Sequence, residues 1–363
     1  MRPSASKTKP STGSPGEAKV AQELWGTFAS LSKRAQGPRL FVVDARVADL
    51  FPKVKALALG APHVLLRGGE SAKNIRSLER ILGEASTLPR SAGTIYAIGG
   101  GTIGDVATVA AHLVKRGVRL VQVPTTLLAA VDSSLGGKGA VDLSTNGRLY
   151  KNAAGVFHYA DETWICTELF ETLNERQIRE GSIEAWKMVV CLDPKLYSAY
   201  SRRAPNLRTL IRDARELKTK VCTQDPYETR GIREVLNFGH TIGHAVESLS
   251  GFKLSHGEAV GLGILAALDV GRAMGVTSEI VAAEVEETFA KRVGVLPRAK
   301  MGRLLMSVTD AALLELVRAD KKNRIAGEVK MVLLERPGTT KFVRVPVEVL
   351  VQLARSWRKS LRP

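Results

Sequence analysis

Thr94-Ile-Tyr-Ala-Ile-Gly-Gly-Gly-Thr-Ile-Gly-Asp-Val-Ala107 is the stretch that decides the fold. A short run of β-branched, aromatic and small apolar residues meets three consecutive glycines, and a helical pattern follows. Gly99, Gly101 and Gly104 satisfy G-x-G-x-x-G, the spacing that lets backbone amides approach a pyrophosphate at a helix N-terminus. Alone the motif is weak, because a tight structural turn looks the same. The acid that an ordinary dinucleotide fingerprint places about 20 residues on is missing. That region reads Val121-Gln-Val-Pro-Thr-Thr126. Asp44, at the end of an earlier apolar run, is the alternative partner for an adenosine ribose.

Working outward, Leu40-Phe-Val-Val-Asp44, His63-Val-Leu-Leu-Arg67 and Arg119-Leu-Val-Gln-Val-Pro124 are further strand-like runs, with helical patterning over 72–84 and 105–115 between them. Strands alternating with helices predict a parallel α/β sheet. From about Glu175 the strand signals fade and helical periodicity takes over, with Lys330-Met-Val-Leu-Leu334 as a late strand. The expected organisation is a disordered basic leader over 1–20, an α/β nucleotide-binding domain with a parallel sheet over 21–174, and a mostly α-helical metal- and substrate-binding domain over 175–363. A cleft is expected between the two domains.

Composition sets the outer bounds. The chain has 363 residues, 44% hydrophobic and 25% charged, enough for two domains with substantial cores. It contains no apolar run long enough to span a bilayer, and its first residues lack the apolar centre of a secretory signal. Cys166, Cys191 and Cys222 are scattered and odd in number, which fits a reducing cytoplasm rather than a disulfide framework. Part of the net charge of +17 is peripheral, carried by Arg2, Lys7, Lys9 and Lys19 at one end and Arg355, Arg358, Lys359 and Arg362 at the other. The remainder is dispersed, without the dense basic stripe that a nucleic-acid backbone requires. A basic pocket for a small phosphorylated, carboxylated substrate accounts for it better.

A second stretch, Leu236-Asn-Phe-Gly-His-Thr-Ile-Gly-His-Ala-Val-Glu247 followed by Ser255-His-Gly-Glu-Ala-Val260, brings three of the six histidines within 17 residues. His240 and His244 are four apart, so on a helix both imidazoles leave one face. Two nitrogen ligands of one divalent metal need that geometry. His256 arrives after a loop-like segment and can close the site from a second helix. The rival reading is a helix with two buried, hydrogen-bonded histidines; the flanking glycines and the third histidine weigh against it. Between the two motifs, Gly69-Glu-Ser-Ala-Lys73 puts an acid and a base in a loop opening a helix. The segment from Pro124 to Lys138 reads as a long loop rich in hydroxyls and glycines, and Lys151-Asn152 follow it. Such side chains suit a polyhydroxylated, phosphorylated ligand.

On these elements the chain resembles the 3-dehydroquinate synthases of the sugar-phosphate cyclase family. The resemblance runs from about Phe41 to Gly338. It rests on Gly-Gly-Gly-Thr-Ile-Gly-Asp (99–105), Arg116-Gly117, Val-Pro-Thr-Thr-Leu-Leu (123–128), Val-Asp-Ser-Ser-Leu-Gly-Gly-Lys (131–138), Leu-Asn-Phe-Gly-His-Thr-Ile-Gly-His (236–244) and His-Gly-Glu-Ala-Val (256–260). It implies a divalent metal, zinc or cobalt, on Glu184, His240 and His256, with His244 either a ligand or a substrate contact. It places Lys187, Lys218, Arg233, Asn237 and His244 at the chemistry, and Arg116, Lys138, Lys151, Asn152 and Lys321 or Lys322 on the substrate. It assigns NAD to Asp44, Glu70, Lys73, Gly100, Gly101, Asp105, Thr125, Thr126, Asp132, Lys138 and Lys151. The implied reaction is a carbon–oxygen lyase step of the shikimate route to aromatic amino acids. In it, 3-deoxy-arabino-heptulosonate 7-phosphate is transiently oxidised by NAD, loses phosphate, is re-reduced and closes by an intramolecular aldol. A cytoplasmic homodimer is also implied. If the helix carrying His240 continues back, Arg233 and Asn237 share its metal-bearing face, and Arg233 grips the substrate carboxylate with two parallel hydrogen bonds.

The sequence departs from the family pattern at several places. Arg46 stands where Asn is usual, Gly139-Ala-Val-Asp142 replaces Thr-Gly/Ala-Val-Asn, and Phe157-His-Tyr-Ala160 replaces Phe-x-Gln-Pro. These changes bear on cofactor and phosphate contacts, so Arg46, Gly139, Asp142, Tyr159 and Ala160 bear on substrate identity. A metal-dependent alcohol or glycerol dehydrogenase is an alternative, but such enzymes continue Pro-Thr-Thr with Ala-Gly-Thr-Gly-Ser, whereas this chain has Leu127-Leu-Ala-Ala-Val-Asp-Ser-Ser134. Another sugar-phosphate cyclase making a cyclitol is a second alternative; Lys218, Arg233 and Asn237 favour a carboxylated substrate.

Overall fold

Leu40 and Val42 pack into one apolar core while Phe41 and Val43 pack into another, because successive side chains of a strand leave opposite faces. The same split divides Ile95 and Ala97 from Tyr96 and Ile98. A sheet with both faces covered turns its strands into continuous apolar runs, which is the pattern those segments show. The computed structural model describes residues 21–251, 253–306, 309–313 and 327–359. The expected leader, Lys321 and Lys322 lie outside the described residues.

Six parallel strands form the sheet: β1 (Gln22–Trp25), β2 (Arg39–Asp44), β3 (His63–Leu66), β4 (Thr94–Gly99), β5 (Arg119–Pro124) and β8 (Glu162–Ile165), in the order β1-β8-β5-β4-β2-β3. From β2 the chain first adds β3 on one flank and then β4 on the other. The order reverses at that point, so a crevice opens beyond the carboxyl ends of β2 and β4, where Asp44 and Gly99 stand. Helices α1 (Phe28–Arg34), α2 (Ala45–Leu50) and α3 (Pro52–Leu59) cover one face, and α4 (Ile75–Ala85) and α5 (Gly101–Leu113) the other.

Three local expectations need correction. Helix α5 begins at Gly101 rather than Asp105, directly on the glycine turn. Helix α4 begins at Ile75, because the Asn74 side chain accepts from Ser77 N and caps it there; Glu70–Ala72 is a separate single turn. The presumed loop 124–138 contains a wide helical turn, Ala129–Ser133, and leads into a hairpin of β6 (Lys138–Thr145) and β7 (Arg148–Phe157). Its signal is Asn146-Gly147, both at positive φ (52° and 71°) between the paired Thr145 and Arg148. Asn-Gly is the preferred two-residue hairpin connection.

The second half is mainly helical: α6 (Glu175–Leu192), α7 (Pro194–Arg202), α8 (Leu207–Gln224), α9 (His240–Leu249), α10 (His256–Ala273), α11 (Glu279–Thr288), α12 (Arg298–Leu305) and α13 (Val347–Lys359). The expected late strand is β9 (Glu328–Arg336), which pairs with β10 (Thr339–Pro346). A capping box of Asn174 and Gln177 fixes the start of α6. Helix α10 is apolar almost all round and buried almost all round, so it forms the centre of this half. Helices α6 and α9 pack on it, and the N-termini of α9 and α10 are held beside α6.

Candidate active site

The nucleotide side is built on close backbone approach. A Cβ on Gly101 would stand 2.8 Å from Ser133 Oγ, and one on Gly68 would stand 1.9 Å from Asp44 Oδ2. Asp44 Oδ1 accepts from Gly68 N (3.1 Å) and Arg46 N (3.0 Å). Arg46 therefore serves this carboxylate through its backbone N–H, which any residue but proline provides. Thr125 N bonds Gly99 O at 2.9 Å, and Thr126 Oγ1 accepts from Ala129 N. Gly100 and Gly101 open α5 with no side-chain cap, leaving amides at the positive end of a helix, where an anion is stabilised.

Lys73, nearly buried, pairs with Asp105 at 2.5 Å. Burial pushes the Asp105 carboxyl up to about 6, and Lys73 opposes this only in part. Lys73 O also accepts from Asp142 N (2.8 Å), and Asp142 Oδ1 from Asn152 N (2.7 Å). The carboxylate of Asp142 thus holds Asn152, at φ +52°, beside the nucleotide loop. Gly139 also has a packing role: a Cβ there would lie 2.5 Å from Thr108 Cβ, so β6 runs closer to α5 than a Thr would permit.

The metal side comes from three helices. Ligand atoms of Glu184 on α6, His240 at the start of α9 and His256 at the start of α10 lie within 4.8 Å of one another. Glu184 Oε1 is 3.6 Å from Nε2 of each histidine. That oxygen is buried without a hydrogen-bond partner, a costly state unless something else satisfies it. One carboxylate and two imidazoles converging on one space form a donor set that suits a divalent cation with open positions. Each imidazole turns its other nitrogen away: His240 Nδ1 to Phe238 O and His256 Nδ1 to Glu247 Oε2, both at 3.3 Å. Burial, then the Lys187 cation and the neighbouring histidines, hold His240 well below the usual imidazole range. Burial also pulls His256 down, but the Glu247 hydrogen bond and the Glu184 charge outweigh it and raise it. Lys187 Nζ meets Glu184 Oε2 at 2.5 Å.

His244 is not part of the converging set. Its ring is 5.3 Å from that of His240, as near as the His256 ring at 5.4 Å, but its ligand atoms are not among those within 4.8 Å of one another, and it is exposed. The second imidazole whose nitrogen converges with Glu184 therefore comes from α10.

On the substrate side, Lys218 Nζ donates to Asp132 O (2.6 Å) and Oδ1 (2.7 Å). One turn earlier, the buried Arg215 reaches Ala130 O (2.5 Å) and Ser134 Oγ (3.1 Å), so α8 grips the Ala129–Ser133 turn from both ends. The expected shared face of Arg233 and Asn237 does not form. Ile232–Asn237 is a 3-10 helix, in which four residues do not complete a common face, and Gly239 at φ +80° separates it from α9. The buried Arg233 instead donates to Gly136 O (3.2 Å) and Pro226 O (3.0 Å) and faces Glu228 at 3.4 Å. Tyr159 donates to the same Pro226 O at 2.8 Å, so this departure fastens the 225–233 loop. Ala160 lies in the sheet core. Lys138 pairs with Glu228, and Lys151 stands 3.6 Å from both Glu70 and Glu247. Arg116 follows the far end of α5 and precedes β5, so it lies at the amino ends of the strands, opposite the crevice.

Sequence reasoning passed over Glu247, Glu228 and Arg215. For Glu247 a signal existed: it lies seven residues after His240 and three after His244, on one helical face. Glu228 and Arg215 become visible only when distant segments meet.

Known proteins resemble this chain over most of its length. The sequence model described as 3-dehydroquinate synthase N-terminal matches residues 63–180, and that described as 3-dehydroquinate synthase C-terminal matches 181–323. A 3-dehydroquinate synthase of Pyrobaculum islandicum is 38% identical over 307 residues, covering 82% of this chain and 85% of that protein. One of Endomicrobium trichonymphae is 34% identical over 354 residues, covering 93% and 94%. The solved structure of 2-epi-5-epi-valiolone synthase from Streptomyces hygroscopicus, with NAD+ and Zn2+ bound, superposes with a TM-score of 0.80 at 23% identity, covering 100% of both chains; at that identity it shows the shared fold. With both domain models matched in sequence over adjoining halves, and relatives alike over most of their length, the chain belongs to the 3-dehydroquinate synthase family.

Proposed function

We infer that this chain is a 3-dehydroquinate synthase, converting 3-deoxy-arabino-heptulosonate 7-phosphate to 3-dehydroquinate and phosphate. The observation that carries the reading beyond the family likeness is Glu184 Oε1. It is buried, without a hydrogen-bond partner, and faces two imidazole Nε2 atoms at 3.6 Å in a chain that also carries a glycine turn at a helix N-terminus. NAD and a divalent zinc or cobalt ion fit these two places, the first supplying a reversible oxidation of a ring hydroxyl and the second polarising substrate oxygens.

The chain's own residues do the remainder. The α5 amides and Gly100–Gly101 hold the pyrophosphate, Asp44 the ribose, and Thr125, Thr126, Asp105, Lys73, Glu70 and Asp132 surround the nucleotide. Glu184, His240 and His256 hold the metal. Lys187, already on Glu184, adds a cation beside the reacting oxygens. His244 offers a ring nitrogen where a proton can be held or passed. Lys218, Asn237 and Arg233 orient the carboxylated end, with Arg233 acting also through the Gly136 turn. Lys138, Lys151 and Asn152 receive the phosphate end, and cationic groups stabilise both anions by charge-assisted hydrogen bonds. Arg116 reaches a phosphate only from a second copy, in a homodimer. No helix among the described residues is long and apolar enough to cross a membrane, in keeping with a cytoplasmic enzyme. The test is phosphate release from the heptulosonate phosphate with NAD and metal present and no net NADH. One NADH accumulating per phosphate released would reject the reading.

A further inference from the structure

Glu247 uses its two oxygens in two directions. Oε2 faces His256 Nδ1 at 3.3 Å, and Oε1 lies 3.6 Å from Lys151 Nζ. Lys151 belongs to β7, in the hairpin of the nucleotide half, and also stands 3.6 Å from Glu70 Oε1 next to the nucleotide turn. The Glu247 side chain is itself about five-sixths buried, at 17% exposure. His240 has only a backbone carbonyl behind its ring, so Glu247 is the one charged group placed behind either imidazole of the Glu184, His240 and His256 set among the contacts described.

We propose that Glu247 is a positioning residue. It fixes His256 with Nδ1 protonated and Nε2 turned to the metal space, and it ties that ring to Lys151 across the cleft. Accepting the Nδ1 proton leaves the Nε2 lone pair free and makes it a better donor, the role carboxylates play behind metal-bound imidazoles. Its placement follows from helix geometry, since His240 and Glu247 are seven residues apart on α9 and project to one side. The proposal rests on the metal reading above.

Cobalt affinity of the full-length chain, measured by competition with a chromogenic chelator, separates the two. If the wild-type chain binds no cobalt, the metal reading itself fails. If it binds, Glu247→Ala is expected to weaken affinity about 10–100-fold and to alter the visible absorption bands of the bound cobalt. Glu247→Gln, which still offers an oxygen to Nδ1–H, should recover most of that affinity. It should nevertheless change KM for the heptulosonate phosphate, because Lys151 keeps Glu70 but loses one of the two carboxylates 3.6 Å away that position it. Wild-type cobalt affinity in Glu247→Ala would overturn the proposal. So would equal losses in both variants, since orientation through the hydrogen bond would then not be what Glu247 supplies.

Discussion

Lys218 on α8 donates to both the backbone oxygen and the carboxylate of Asp132, at 2.6 and 2.7 Å, joining the helical half to the turn that follows β5. Burial alone would raise the Asp132 carboxyl, but Lys218, with Lys187, holds it below the usual range. Breaking a buried pair by removing one partner costs about 3–5 kcal/mol. Asp132 is one-third exposed, so about 1–3 kcal/mol is the expected cost here. Lys218→Met should lower the melting temperature accordingly and cut kcat/KM by about a hundredfold or more, since a misplaced turn alone can cost that much. Adding Asp132→Asn should restore the melting temperature and not the rate. Recovery of both would show the pair to be purely structural.

Metal dependence is the next expectation. Chelation should abolish turnover, and zinc or cobalt should restore it. His256→Ala removes one of three converging donors, so its metal affinity should fall by more than the roughly 10–100-fold expected for losing an outer partner. Equilibrium dialysis measures this directly. A His256→Ala chain with full metal content and full rate would remove His256 from the ligand set.

The pH dependence of stability should carry a signature of Asp105. With its carboxyl held up to about 6 against a usual 3.8, the folded chain binds this proton more tightly than the unfolded chain does. The stabilisation is therefore full below about pH 4 and is lost as pH rises through about 6, by up to about 3 kcal/mol. Urea unfolding of wild type and Asp105→Asn, compared from about pH 4 to about pH 7, should show the difference moving in favour of the Asn variant. A difference that stays flat across the range would mean that Asp105 ionises normally.

Much of this site is legible along the chain because its contacts are local or periodic. The glycine turn decides where α5 starts, and Asp44 ends an apolar run at the crevice. Glu184 and Lys187 are one turn apart and do meet. What stays hidden depends on distant segments. Nothing near Arg215 announces Ala130 as its partner, and the Arg233 contacts to Gly136 and Pro226 exist only once two loops are brought together. The i, i+4 spacing does bring the His244 ring to 5.3 Å from that of His240, but only the atoms of the folded site show that Glu184, His240 and His256 converge within 4.8 Å. The same spacing failed for Arg233 and Asn237 because Gly239 takes a left-handed conformation and stops α9 from extending back. The hairpin could have been read from Asn146-Gly147, whose preference for a two-residue turn is independent of tertiary context.

Arg116 gives the sharpest test of assembly. Helix α5 starts at the crevice and runs 13 residues, about 20 Å at 1.5 Å per residue. Arg116 follows that far end and is exposed at a positive φ of 67°. It cannot turn back to the crevice of its own chain, yet the family pattern associates it with substrate phosphate. In a homodimer with isologous contacts, each copy can lend the residue to the other. Arg116→Ala and His256→Ala should each be nearly inactive alone. A dimer of one Arg116→Ala copy and one His256→Ala copy contains one complete site, because the first copy keeps its metal set and receives Arg116 from the second. Equal mixing with subunit exchange makes about half of the dimers hybrids. The mixture should therefore recover about a quarter of the wild-type rate of phosphate release. A mixture no more active than the mean of its parents, with exchange demonstrated by mass, would place the Arg116 effect within a single chain.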